Sequence, residues 1–318
     1  MSSGALAVDS PPRVTRVAAY AAIYFLWGAS FLAIRVLVGA VPPLLAAGVR
    51  FLAAGLILFA WSALRGNALP KLREWRSAVV LGVVMFACDY GPLFWAEQRI
   101  ASGIAAIISA LIPVWIAAFE WARSSSKMPA RLLLGTCCGV TGVAVLSLTP
   151  AQISHERVEA LPLLAILFGT IAWAVGTLWS RHLPLPAAKP MAASIQMILG
   201  GLTLAVASVV SGDLAHFVPA RVDERAIISM LYLVIGASIV AFTAYVWLLG
   251  HEPATRVASY AYVNPVIAVA LGSLLGGERL SLQVIAGMLL VLTGVVAVLG
   301  HRAAASPQPV SRELIRHR

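Results

Sequence analysis

Apolar residues run through this chain in long blocks, and polar residues gather in the gaps between them. The blocks cover residues 17–38, 44–63, 76–97, 102–122 and 131–148, then 161–181, 191–211, 226–247, 256–276 and 283–300. A helix of about 17 to 25 residues crosses a hydrocarbon core about 30 Å thick, and every block has that length. The pattern predicts an all-α integral membrane protein with ten transmembrane helices. The connections are mostly short, so neighbouring helices run antiparallel, and nothing of domain size lies outside the blocks. Arg13 and Arg16 in a Pro-containing leader give the first block the look of a signal peptide. It is nevertheless longer than a cleaved apolar core of about 7 to 15 residues, and a second span follows at once, so it is expected to be a retained first helix.

Composition agrees with this reading. Of 318 residues, 60% are hydrophobic and 11% charged, with a mean hydropathy of +0.90. A soluble domain carries about 25% charged residues to keep its surface wet. The net charge of +10 could suggest nucleic acid, but its placement points elsewhere. Sixteen Lys and Arg residues fall on the side of the N-terminus, six on the other side, and Arg50 lies within a span. This bias predicts both termini in the cytoplasm, with lipid rather than nucleic acid as the partner. Cys88, Cys137 and Cys138 lie inside spans with no histidine at ligand spacing, so no metal and no cofactor are expected.

Residues repeat along the chain at a fixed offset. Trp27 and Trp173, Arg35 and Arg181, and Gly55 and Gly201 stand 146 apart. Trp95 and Trp247, Pro113 and Pro265, Gly135 and Gly287, and Gly142 and Gly294 stand 152 apart. The expected units are a cytoplasmic segment 1–16, a first repeat 17–148, a linker 149–160, a second repeat 161–300 and a basic tail 301–318. Five helices is an odd number, so the second repeat enters the membrane from the opposite side. Inverted repeats mark secondary transporters, whose substrate site lies between the halves near the midplane.

Three sets of residues are candidates for a substrate cavity. Pro113 and Pro265 free the carbonyls of Ser109 and Ala261, which either line a cavity or belong to ordinary compensated kinks. Tyr260, Tyr262 and Asn264 lie just before the second of these prolines. Trp27, Phe31 and Arg35 share one face of helix 1, with Ser30 beside them, and Trp173, Thr177 and Arg181 repeat that spacing on helix 6. Both tryptophans are mid-span, which leaves interhelical packing or a cavity wall. Trp95 and Trp247 fit an interfacial belt. Arg50 and Asp89 lie at similar depth, where an unpaired charge is costly, so they are expected to interact as an ion pair, in substrate binding or in proton coupling. Glu97, Arg99 and Glu120 read as snorkelling or loop charges, and Glu278 as the first polar residue of a tight turn. Gly135 with Gly139, and Gly272 with Gly276, have the GxxxG spacing that lets helices approach within a chain or across a homodimer.

The stretches "YFLWGASFLAIR" at 24–35, "PPLLAAGVRFLAAGLIL" at 42–58 and "SYAYVNPVIAVALGSLLGGE" at 259–278 resemble EamA-type transporters of the drug/metabolite transporter superfamily, and its YedA-like branch in particular. The resemblance covers about residues 17 to 300. It implies a ten-helix inner-membrane carrier with two EamA repeats, usually an exporter of small metabolites such as amino acids. Trp27, Gly28, Ser30, Phe31, Arg50, Pro113, Asn264, Pro265 and Glu278 match the family pattern. Ser126 stands where the family often has Glu, and Asp89 where this branch has a neutral polar residue. Efflux of drugs or toxic compounds is the alternative within this class. An intramembrane enzyme would need a convergent catalytic cluster, and the six histidines all fall in loops or ends. A structural or receptor-like membrane protein would not need the paired prolines or the inverted repeat.

Overall fold

A computed structural model of the protein describes residues 12–124, 129–147 and 160–304. The segment before residue 12, the linker 148–159, Ser126 and the tail beyond Ala304 lie outside the described residues. The first four spanning helices are α1 (Arg13–Val38), α2 (Pro43–Leu64), α3 (Leu72–Ala96) and α4 (Ser102–Ala122). They are followed by α5 (Ala130–Ser147), α6 (Ala160–Ser180), α7 (Lys189–Val210) and α8 (Glu224–Leu249). The last two are α9 (Tyr260–Leu274) and α10 (Leu282–Ala304). With ten crossings, both chain ends emerge on one face of the bundle.

Polar caps mark the starts of α3 and α8 ahead of their apolar blocks. The Lys71 amide donates to Glu74 Oε2 at 2.6 Å at the start of α3, and the Ala226 amide donates to Asp223 Oδ1 at 2.8 Å at the start of α8. These caps satisfy amides that would otherwise lack partners. The ends of α2 and α7 are set by Pro43 and Pro190, which sit in the first turn where no amide is needed.

The glycines of the repeat hold its two copies together. A Cβ on Gly55 would stand 2.8 Å from the Ile198 nitrogen, and one on Gly201 would stand 2.5 Å from the Leu52 nitrogen, so α2 and α7 meet backbone to backbone. The same holds for α5 and α10: a Cβ on Gly142 would lie 2.9 Å from the Gly287 oxygen, and one on Gly294 would lie 2.6 Å from the Gly135 oxygen. Each helix of these seams packs on its own repeat mate, as a two-fold axis in the membrane plane requires. Around the seams, α1 packs on α8 and α9, while its mate α6 packs on α3 and α4. The GxxxG glycines 135 and 139 are therefore occupied within one chain. Large apolar side chains such as Leu56, Val206, Ile235 and Leu289 face outward, toward lipid.

Two features depart from the sequence expectation. First, α3 and α8 each widen into a π-helix, at Gly82–Tyr90 and Leu233–Val240. Their closing amides reach back five residues, Gly91 to Phe86 and Ala241 to Gly236. An offset of 152 places the first π segment on 234–242, so the widening belongs to the repeat. Second, the prolines do not mark equivalent breaks. In α4 the pieces Ser102–Ser109 and Ile112–Ala122 meet at a turn over 110–111, just before Pro113. In the second half a short helix Ala254–Val257 ends in a turn over 258–259, and Pro265 lies inside the unbroken α9. The second break is one helical turn earlier than the repeat predicts. Pro113 begins a helix and so needs no amide partner. Around Pro265, the Asn264 amide nitrogen, when turned inward, donates to the carbonyls of Tyr260 at 3.2 Å and Tyr24 at 3.0 Å, tying α9 to α1.

Candidate functional site

A cavity lies at the centre of the bundle, where α1, α3, α4, α6 and α9 converge. It is lined by Trp27, Ser30 and Phe31 of α1, by Asp89 and Tyr90 of α3, by Ser109 of α4, by Trp173 of α6 and by Tyr260, Asn264 and Pro265 of α9. Nine of the thirteen residues singled out in the sequence thus meet at one place. Thr177 is one turn away, bonded through its hydroxyl to Tyr245 at 2.6 Å. Pro113 follows the turn over 110–111 without lining the cavity. Tyr262 is on α9, and its side chain lies outside the described residues.

The walls are a continuous aromatic packing. Trp27 and Trp173 contact edge to face at 5.8 Å between ring centroids, and Trp27 also meets Tyr245 and Tyr260, each at 5.1 Å. Trp173 reaches Tyr90 at 5.8 Å and Tyr245 at 5.5 Å. The Trp27 Nε1 donates to the Ala237 carbonyl at 2.9 Å, inside the second π segment. Sequence reasoning missed Tyr90 and Tyr245. Extending the repeat comparison could have found the first, since Tyr90 and Phe242 are aromatic mates at offset 152. Toward the chain ends, Tyr245, Phe242 and Met85 separate this cavity from a second one that also touches Arg181, Lys189 and Gln196.

The central cavity is small in this structure. About 50 Å³ is open to the centre of a water molecule, enough for about three or four waters. Polar ties lie at both ends of α1. On the face away from the chain ends, Arg35 Nη1 donates to the carbonyls of Glu97 and Ile100, the latter at 3.0 Å. Beside it, Glu278 accepts from the Ser102 amide at 2.8 Å and the Ser102 hydroxyl at 2.7 Å, capping α4. Glu278 thus does more than begin a turn: it locks the α9–α10 connection to the start of α4. On the face of the chain ends, Glu252 pairs with Arg16 at 3.6 Å and Arg256 at 2.6 Å, and Tyr24 bonds Ser259 at 2.7 Å.

The two intramembrane charges expected to interact do not. Among the described residues no ion pair joins Arg50 to Asp89. Arg50 is fully buried on α2, and its Nε donates to Ser238 Oγ of α8 at 2.9 Å. Its guanidinium lies 4.5 Å from the Phe51 ring centre and 5.0 Å from that of Tyr90, an arrangement that stabilises a cation through the faces of the rings. Asp89 turns the other way, toward the cavity and against Gly169 of α6, where a Cβ would come within 2.8 Å of its Oδ1. The residues match in depth and differ in direction around their helix axes. Glu97 also departs from expectation: it is fully buried, and neither carboxylate oxygen has a hydrogen-bond partner, so it is not a loop charge. Trp95 and Trp247 do sit at helix ends, stacked on Arg99 at 4.2 Å and on His251 at 4.3 Å.

Comparison with known proteins agrees with this architecture. A crystal structure superposes with a TM-score of 0.64 at 20% identity, covering 90% of this chain and 97% of that one, and shows the same fold. The chain is 36% identical over 263 residues to the "Uncharacterized inner membrane transporter YedA" of Escherichia coli (strain K12), covering 82% of each protein. It is 26% identical over 281 residues to the "Probable amino-acid metabolite efflux pump" of the same strain, covering 86% of this chain and 90% of that protein. The EamA-like transporter family matches residues 17–148 and 160–300, one match for each half. This chain is a membrane transporter rather than an enzyme, and it belongs to the EamA-like transporter family.

Proposed function

We propose that this transporter exports small amphipathic metabolites, amino acids among them, across a bacterial inner membrane by alternating access. The observation that carries the reading is the small aromatic cavity between two inverted halves, with a separate set of ties at each end. Opening one tie at a time would expose the same residues first to one side and then to the other. The substrate-facing residues are Trp27, Ser30, Phe31, Asp89, Ser109, Trp173, Tyr260, Asn264 and Pro265, with Arg50, Pro113, Thr177 and Tyr262 in support. The moving units are 17–148 and 161–300. The excess of Lys and Arg on the side of the chain ends supports cytoplasmic termini and the inner membrane location. The name of the amino-acid efflux relative supports the substrate class and the direction.

The test is counterflow in proteoliposomes holding the full chain, with a panel of amino acids, metabolites and drugs, each with and without a pH gradient. Saturable flux of at least one amphipathic metabolite is expected. A panel without any saturable flux would sink the reading, and flux confined to drugs would replace metabolite export with drug efflux.

A further inference from the structure

We propose that the solute carries a cationic ammonium group, which lodges against Asp89 inside the aromatic walls of the central cavity. Among the described residues, Asp89 is the only charged side chain lining that cavity. It has no hydrogen bond and no ion pair among the described residues. Gly169 leaves the carboxylate room to stand there, since any side chain at that position would meet Oδ1 at 2.8 Å. A carboxyl group kept inside a membrane protein with no fixed partner calls for a mobile one, and an ammonium group would supply the charge that holds it ionised.

The surroundings favour the same ligand. Trp27, Trp173, Tyr90 and Tyr260 present aromatic rings to the space beside Asp89, and ring faces attract cations. The buried cation Arg50 does not line the cavity: its Nε donates to Ser238, and the Tyr90 ring stands 5.0 Å from its guanidinium. A solute carboxylate would therefore find only neutral partners, Ser30, Ser109 and Asn264. This ranks amines above zwitterionic amino acids, and those above simple carboxylates.

The inference rests on the transport reading for its use but not for its chemistry, so binding is measured apart from flux. Isothermal calorimetry on the full chain in lipid nanodiscs at neutral pH compares phenethylamine, phenylacetate and the uncharged 2-phenylethanol. Phenethylamine is expected to bind at least about tenfold more tightly than phenylacetate, the scale of one charge-assisted contact. Asp89→Asn should remove about that factor for the amine and leave 2-phenylethanol unchanged. Equal or tighter binding of phenylacetate overturns the proposal, and so does absence of amine binding to the unaltered chain, a comparison that needs no variant. An Asp89→Asn protein that keeps its amine affinity does the same. Flux of anionic solutes without amine binding would defeat this inference and leave transport standing. Amine binding without any flux would do the reverse.

Discussion

Arg50 shows how a charge can be structural inside a membrane protein. Its guanidinium is fully buried, its Nε donates to Ser238, and the rings of Phe51 and Tyr90 lie against it. Arg50→Ala should empty that cage and lower stability by about 2 to 5 kcal/mol, as other large-to-small changes in packed cores do. Arg50→Met keeps the stem and removes the charge, so less than half of that loss is expected. Thermal melting of the purified variants checks both, and an Arg50→Ala protein that melts like the unaltered chain would show that the cage contributes nothing. The sequence made the depth of Arg50 and Asp89 legible, because rise per residue is fixed along a helix. Their directions were not, because an angular position matters only relative to neighbours such as Ser238 and Gly169, which are distant in the chain.

Between helices, the decisive contacts are the two seams where repeat mates meet. Gly201→Leu would force a side chain into the Leu52 backbone, and the cost should exceed about 3 kcal/mol because backbone cannot step aside as a side chain can. Val206→Leu, on the outward face of the same helix, should be nearly neutral. If the two variants melt alike, the seam is not what holds the halves. Much of this level could be read in advance: span length follows from hydropathy, and the pairs Gly55–Gly201 and Gly142–Gly294 stood out by their offsets. The π segments could not be read, since in spans that are apolar on nearly every face the change of register leaves no mark in the pattern. The break before Tyr260 was hidden for a related reason: Pro265 drew attention, yet the turn is made by Ala258 and Ser259, which carry no breaker signal.

For the whole molecule, the proposed alternating access would make the two ties of α1 set the balance between states. Arg35→Ala should release the α3–α4 turn and favour opening on the face away from the chain ends, while Glu252→Ala should favour the opposite face. A coupling of about 1 to 3 kcal/mol shifts such an equilibrium about 5- to 150-fold. In a background without Cys88, Cys137 and Cys138, a cysteine at Ser109 labelled by a membrane-impermeant maleimide from each side reads the shift. Labelling that changes equally from both sides in either variant would show that the ties do not select a direction. The mirrored π segments add a further consequence. If such a segment tightens to α, the helix beyond it turns by about 100° and slides by about 1.5 Å for each residue of register regained. Each π segment lies just upstream of a tied turn, Glu97–Ile100 in the first half and Glu252 in the second. Under the alternating access proposed above, each tie would have its own reserve of slack beside it, to be wound or unwound while the glycine seams keep their grip.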